Sequence, residues 1–368
     1  MKIRVLQVCG QLSIGGQEMM VKNFFKYINK EKFEFDYIVY GDKIGEYEEE
    51  LENLGCHIYH VTIPTKSNML TFKEEVKKII KEGNYTVVHS HTYTNNGIIL
   101  KIAYDCKVPI RISHIHSTES GKNENIIYRF YKKTMKHLIL KNATHLMACG
   151  KKAGNSFYGD EQFKNRGIVI KNGINVDDFK FNQIIANEIK KKYSLDNKIV
   201  IGHIGRFVSV KNHKYIIKII ENLSKEIDNF IMIFIGDGEL KSLIENEVVK
   251  KGLSNKVLFL GKRNDIDKLL QAIDIVLCPS LYEGLPVSLI EAQTSGAKCL
   301  VSTNVSKEVE ITNNVSFIDI EDLSISEWCK QIKNFHRYDR TEVFKIIEKK
   351  GYNIKKSCEF LEKIYESK

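Results

Sequence analysis

"IVLCPSLYEGLPVSLIEAQTSG", Ile275 to Gly296, reads as a strand, a loop and a helix in direct succession. The run "IVLCPS" is apolar without alternation, as in a strand buried on both faces. Pro286 has a fixed φ and no N–H to donate, which suits the opening of a helix, so the helix is expected from "PVSLIEAQTSG". Glu283 then falls in the loop and Glu291 inside the helix, beyond its first turn. A buried strand feeding a helix is half of a βαβ unit, and repetition of that unit implies a parallel sheet covered on both sides.

The same grammar runs along the whole chain. Strand-like runs "IRVLQV", "FEFDYIVY", "HIYHV", "TVVHSH", "IRISHIH", "HLMAC" and "GIVIKN" alternate with segments such as "FKEEVKKIIKEG" that have apolar residues at helical spacing. After "NGINVDDF" the pattern restarts with "IVIGHIG", "FIMIFIG", "VLFLG", "DIVLCPS" and "KCLVST". Two doubly wound, Rossmann-like α/β domains are expected, residues 1–172 and residues 173–345, followed by a terminal helix over 346–368 that returns to the first domain. Facing one another, the two would form a cleft lined by the carboxyl ends of both sheets, where ligands of such sheets bind.

Composition narrows the class. A chain of 368 residues with 43% hydrophobic and 28% charged residues, four prolines and no low-complexity tract reads as ordered and globular. No run of about 18 apolar residues occurs, and "MKIRVLQVCG" is interrupted too soon for a signal peptide, so a cytoplasmic location is expected. The eight cysteines form no CxxC pair and no cluster with histidine, which argues against a disulfide framework or zinc site. The net charge of +10 suits polyanions, anionic lipid or phosphorylated substrates alike. Without base-stacking or groove-reading elements, nucleic acid is not an expected partner.

Candidate chemistry gathers at strand ends in the second half. In "GHIGRFVSVKNH", Gly205 ends a strand, Arg206 follows and Lys211 precedes a helix. A planar cationic fork beside a mobile point charge suits a diphosphate, although a solvated surface pair has the same pattern. "GDG", Gly236-Asp237-Gly238, ends another strand and permits either close backbone approach or an ordinary turn. "LGKRNDID", containing Lys262 and Ile266, follows a further strand and would supply backbone contacts to a base. The helix after Glu283 offers free N–H groups around Val287 and Ser288 to a phosphate oxygen. Glu283 would accept from sugar hydroxyls, and Glu291, among Leu289, Ile290 and Ala292, from a ribose diol; its alternative is a charged surface position.

Gly205-Arg206 with Lys211, followed by Glu283 and Glu291 in "EGLPVSLIEA", resembles the donor site of retaining, metal-independent glycosyltransferases of family 4, which have the two-Rossmann GT-B fold. "GGQE", "VVHSHT", "SHIHST", "VIKNGINVDDF", "GDG" and "SLYEGLP" follow in that family's order, and the resemblance is especially to enzymes of bacterial capsule and exopolysaccharide synthesis. It implies that Arg206 and Lys211 bind the diphosphate of a nucleotide sugar in the uridine series, that Glu283 holds the sugar and Glu291 the ribose, and that Gly284, Leu285 and Val287 present backbone N–H groups. It implies no cofactor and no metal. The implied acceptor is a glycan or a polyprenyl-linked oligosaccharide.

In the first half, Gly15 and Gly16 follow the first strand but lack dinucleotide-binding spacing, so a tight turn against donor phosphate or acceptor is expected. Histidines stand near strand ends at 89, 91, 114 and 116, positions that also suit ordinary core residues. His116 matches a histidine that the family places near the reacting sugar, with His91 a second choice on the acceptor side. The basic, aromatic segment "IIYRFYKKTMKHLILK" reads either as a peripheral element for an anionic membrane or as a helix with its aromatics in the core. Other readings of the chain are a nucleotide-sugar epimerase of the same fold and a non-catalytic sugar-nucleotide-binding subunit.

Overall fold

The computed structural model of the chain describes residues 2–13, 15–117, 125–336 and 338–367. These divide into two compact units, Met1–Gly173 with Ile354–Lys368, and Ile174–Asn353. The expected terminal segment from 346 therefore divides. The helix Phe344–Lys349 stays with the second unit, packing on the helices Val287–Thr294 and Val176–Phe179, whereas the helix Ile354–Glu366 packs on Gly16–Tyr27 of the first.

The first unit is a seven-stranded parallel sheet. Its strands are β1 (Ile3–Val8), β2 (Phe33–Tyr40), β3 (His57–Val61), β4 (Val87–Ser90), β5 (Ile110–Ile115), β6 (His145–Ala148) and β7 (Gly167–Val169), in spatial order β3-β2-β1-β4-β5-β6-β7. All seven strands expected from the sequence form. Side chains alternate across the pleat into two cores: Val5, Val87 and Ile112 face one, Leu6, Val88 and Ile115 the other. The C-terminal helix completes the first core with Ile354, Cys358, Leu361 and Tyr365.

The second unit is a six-stranded parallel sheet of β8 (Ile199–Ile204), β9 (Phe230–Ile235), β10 (Val257–Phe259), β11 (Ile275–Cys278), β12 (Lys298–Ser302) and β13 (Val315–Ile318), ordered β10-β9-β8-β11-β12-β13. The sequence pattern did not show β13, because "VSFI" is short and enclosed by polar residues. In each sheet the order reverses between two adjacent strands, β1 and β4 or β8 and β11. Loops leaving such a pair diverge to opposite faces and open a crevice at the strands' carboxyl ends.

Candidate active site

At the reversal in the second unit, the loops after β8 and β11 are tied together. Leu281 N–H donates to the Val210 carbonyl at 2.9 Å, and Asn212 Nδ2 to that of Pro279 at 3.1 Å. Lys211 Nζ donates to Glu283 Oε2 at 2.8 Å, and the Ser280 hydroxyl donates to Glu283 Oε1. Each member of the Lys211–Glu283 pair has a side chain only 16% exposed. The sequence placed a cation and an acid here; the structure makes them one ion pair, with Ser280 as a third member that the sequence reading missed. Its signal was the polar residue closing a buried apolar strand.

Glycines shape this corner. A Cβ on Gly205 would come within 3.0 Å of Lys211 Cε, so Gly205 leaves room for the lysine stem. Gly236 and Gly238 have φ of +140° and +154°, and a Cβ on either would meet the backbone of Gly205 or Phe207 at 2.0 or 2.7 Å. The "GDG" segment thus buttresses the loop carrying Arg206, with Phe207 N–H donating to the Asp237 carbonyl at 2.9 Å. Asp237 itself is exposed, its carboxylate accepting from the Gly238 N–H at 2.9 Å. Arg206 is exposed, and no hydrogen bond of its guanidinium is recorded among the described residues.

Pro286, with φ −66°, immediately precedes the helix Val287–Thr294, which has no side-chain cap. Val287 and Ser288 are half-buried at its start, and Gly284 has open space where a Cβ would be. Unpaired N–H groups at a helix start favour an anion. One to two turns on, Glu291 is half-buried and has no recorded hydrogen bond; burial, and then Asp267, push its carboxyl up to about 7. Lys262 is exposed, and Ile266 begins the helix Ile266–Ala272 with its side chain against the core. Beneath the loops, burial pushes His203 down to about 4 and His213 to about 2, so both are neutral under Lys211.

The first unit carries a second constellation at its own reversal. His89 and His91 extend from β4, His114 and His116 from β5, on one face of the sheet. Stacked rings lie 4.3 Å apart within the His114–His116 pair and 5.1 Å between His91 and His116. His91 Nδ1 is 2.8 Å from His116 Nε2, and His91 Nε2 is 2.8 Å from Gln7 Oε1. His89 Nε2 is 3.1 Å from His114 Nδ1, and His89 Nδ1 is 2.7 Å from the Tyr365 hydroxyl. Burial is the first cause holding all four imidazoles below their usual range, His116 at about 3. Ligating atoms of His89, His91 and His114 lie within 4.8 Å of one another, a spacing open to a metal, but five of their six nitrogens are already engaged with each other, His116, Gln7 and Tyr365, and His114 Nε2 alone has no partner among the described residues. Gln7 and Tyr365 were not singled out from sequence, although a glutamine inside "RVLQVC" was a visible exception to an apolar strand.

Gly15 caps the helix Gly16–Tyr27 in extended backbone, and a Cβ there would fall 2.2 Å from Glu18 Oε2. Gly15 therefore admits the close approach of Glu18 to the helix start. In the helix Ile126–Asn142, Met135 and Ile139 are buried while Ile126, Ile127, Tyr128 and Phe130 are exposed, so its first aromatics are not in the core. Thr118, the last residue of "SHIHST", lies outside the described residues.

Matches to known families follow the two units. "Glycosyltransferase Family 4" covers residues 14–178 and "Glycosyl transferases group 1" residues 185–334. EpsF of Bacillus subtilis, a protein named as a glycosyltransferase, is 36% identical over 310 residues, spanning 83% of this chain and 81% of EpsF. The chain belongs to glycosyltransferase family 4. Among this glycosyltransferase's relatives, the capsular polysaccharide biosynthesis glycosyltransferase CapH of Staphylococcus aureus is 27% identical across 100% of this chain and 99% of its own. An Escherichia coli UDP-Gal:alpha-D-GlcNAc-diphosphoundecaprenol alpha-1,3-galactosyltransferase is 27% identical over 82% of each chain. Of solved folds, Anabaena Alr3699/HepE, crystallised in complex with UDP, superimposes with a TM-score of 0.77 at 18% identity over 99% of each chain. The glycosyltransferase thus has the GT-B architecture of two Rossmann-like domains.

Proposed function

We propose that the protein is a retaining hexosyltransferase using a nucleotide diphosphate sugar, in the uridine series, to extend a glycan or polyprenyl-linked acceptor in cell-surface polysaccharide synthesis. The observation that carries this is the Lys211–Glu283–Ser280 cluster beside Arg206 and an uncapped helix start, at the sheet's reversal. The names of CapH and of the E. coli galactosyltransferase support the substrate classes.

The bond from the anomeric carbon to the donor phosphate oxygen breaks, the acceptor hydroxyl bonds to that carbon on the same face, and its proton passes to the departing phosphate. Lys211 exchanges Glu283 for phosphate and, with Arg206 and the N–H groups of Val287 and Ser288, stabilises the charge that grows on the diphosphate. Glu283, released, accepts from donor-sugar hydroxyls. Glu291 accepts from the ribose, and Gly236, Gly238, Lys262 and Ile266 border the nucleotide. His116 orients the sugar. With the departing charge met by two cations and the helix N–H groups, the transfer so described needs no metal or cofactor. Transfer from a panel of UDP-, GDP- and ADP-hexoses to a lipid-linked acceptor, with the product anomer read by NMR, tests the reading. An α-linked product from an α-linked UDP-hexose supports it; inversion, or donor consumption without acceptor as in an epimerase, rejects it.

The acceptor class brings the protein to a membrane's inner surface. Ile126 and Phe130, 81% and 73% exposed, stand beside Arg129 and Lys133, a composition that suits anionic lipid. No helix among the described residues is long and apolar enough to cross a membrane. Flotation with phosphatidylglycerol vesicles is expected to recover the protein, and Ile126→Ser/Phe130→Ser to lose it; equal recovery of both argues against this contact.

A further inference from the structure

The hydrogen-bond partners of the four histidines determine where their protons sit. Gln7 Oε1 is a carbonyl oxygen and only accepts, so His91 Nε2, 2.8 Å away, carries a proton. A neutral imidazole carries one, so His91 Nδ1 is bare and accepts from His116 Nε2 at 2.8 Å. His116 Nδ1 is then bare too, and it is buried without a partner among the described residues. On the other branch, Gln7 Nε2 donates to the Tyr365 hydroxyl at 3.3 Å, which donates to His89 Nδ1 at 2.7 Å. His89 Nε2 donates to His114 Nδ1 at 3.1 Å, and that branch ends in a His114 Nε2–H without a partner among the described residues. One amide, with an oxygen on one side and an NH2 on the other, thus gives the two histidine pairs opposite free ends.

We propose that Gln7 and His91 are positioning residues: they lock His116 as its Nε2–H tautomer, so that Nδ1 is a fixed acceptor that takes a hydrogen bond from a substrate hydroxyl. This rests on the sugar-orienting role given above to His116. A buried acceptor left unsatisfied disfavours folding, and its retention fits a site completed by a ligand. Wrong tautomers at orienting histidines cost chemistry rather than binding, because the misplaced proton faces the group it should receive.

The test is 15N NMR of the full-length protein with labelled histidine, His116 being assigned by its loss in His116→Ala. Wild type is expected to show His116 protonated at Nε2 and bare at Nδ1; a protonated Nδ1 overturns the proposal. Gln7→Met, which removes the acceptor facing His91, is expected to mix the tautomers and lower kcat with a UDP-hexose about tenfold or more, with the donor KM changing less than about threefold. Gln7→Glu, which restores an acceptor, is expected to restore the tautomer. Tyr365→Phe breaks only the other branch and is expected to leave the His116 tautomer as in wild type, which keeps the assignment testable if Gln7→Met folds poorly. An unchanged tautomer and kcat in Gln7→Met contradict the proposal. Full kcat in His116→Ala removes the hydroxyl-binding role, while the NMR of wild type still decides the lock.

Discussion

At the scale of single residues, the two glutamates that stand eight positions apart have opposite electrostatic settings. Glu283 is ion-paired with Lys211 and takes the Ser280 hydroxyl. Glu291 lies among apolar neighbours with its carboxyl pushed up to about 7. A raised value means that Glu291 favours folding fully below its ordinary 4.5 and loses that contribution as pH rises through 7. Glu291→Gln removes the cost of the buried charge. Its stability advantage over wild type is therefore expected to grow between pH 5 and pH 8, by on the order of 2–3 kcal/mol, while its affinity for UDP falls at pH 8. Thermal melts at the two pH values check this, and an equal difference at both contradicts it. Both acids were legible in the sequence because each follows turn chemistry at a strand end. Their partners were not: Lys211 pairs across 72 positions with Glu283, and no periodicity links residues that meet only through sheet order.

At the scale of elements, the loops matter more than the strands that carry them. Gly236, at φ +140°, has Gly205's carbonyl oxygen 2.0 Å from where a Cβ would be. Gly236→Ala must therefore strain its own backbone or displace the loop that carries Arg206 and Lys211. A loss of about 2 kcal/mol or more in stability is expected, together with a fall in turnover; a variant that melts with wild type and turns over normally would show that the loop yields freely. The "GDG" pattern pointed to this place but left a ligand contact and an ordinary turn both open, since the packing partner is a different loop. The helix Ile126–Asn142 taught a related lesson: its helical periodicity was visible, but which face is covered depends on neighbours that local sequence does not name.

At the scale of the whole molecule, strand and helix alternation was enough to read two doubly wound units, because each parallel strand is buried on both faces and must be written in apolar residues. The chain's return was less legible. The helix Ile354–Glu366 reaches the first unit after the second is complete, and there Tyr365 joins Gln7 across 358 positions. Its buried Ile354, Cys358, Leu361, Ile364 and Tyr365 contribute roughly 1.5–3 kcal/mol each, together comparable with the full stability of a domain. Deletion after Asn353 is expected to unfold the first unit while the second, Ile174–Asn353, keeps its melting transition; calorimetry showing two wild-type transitions in the truncated chain contradicts this.

The central claim is that Lys211 leaves Glu283 to stabilise the departing diphosphate, and the turnover of Lys211→Ala with a UDP-hexose and lipid-linked acceptor tests it most directly. Removing one preorganised charge partner typically costs about 10²–10³-fold in kcat. That loss, with a melting temperature within a few degrees of wild type, is the expected result. Wild-type kcat in a folded Lys211→Ala protein would contradict the account.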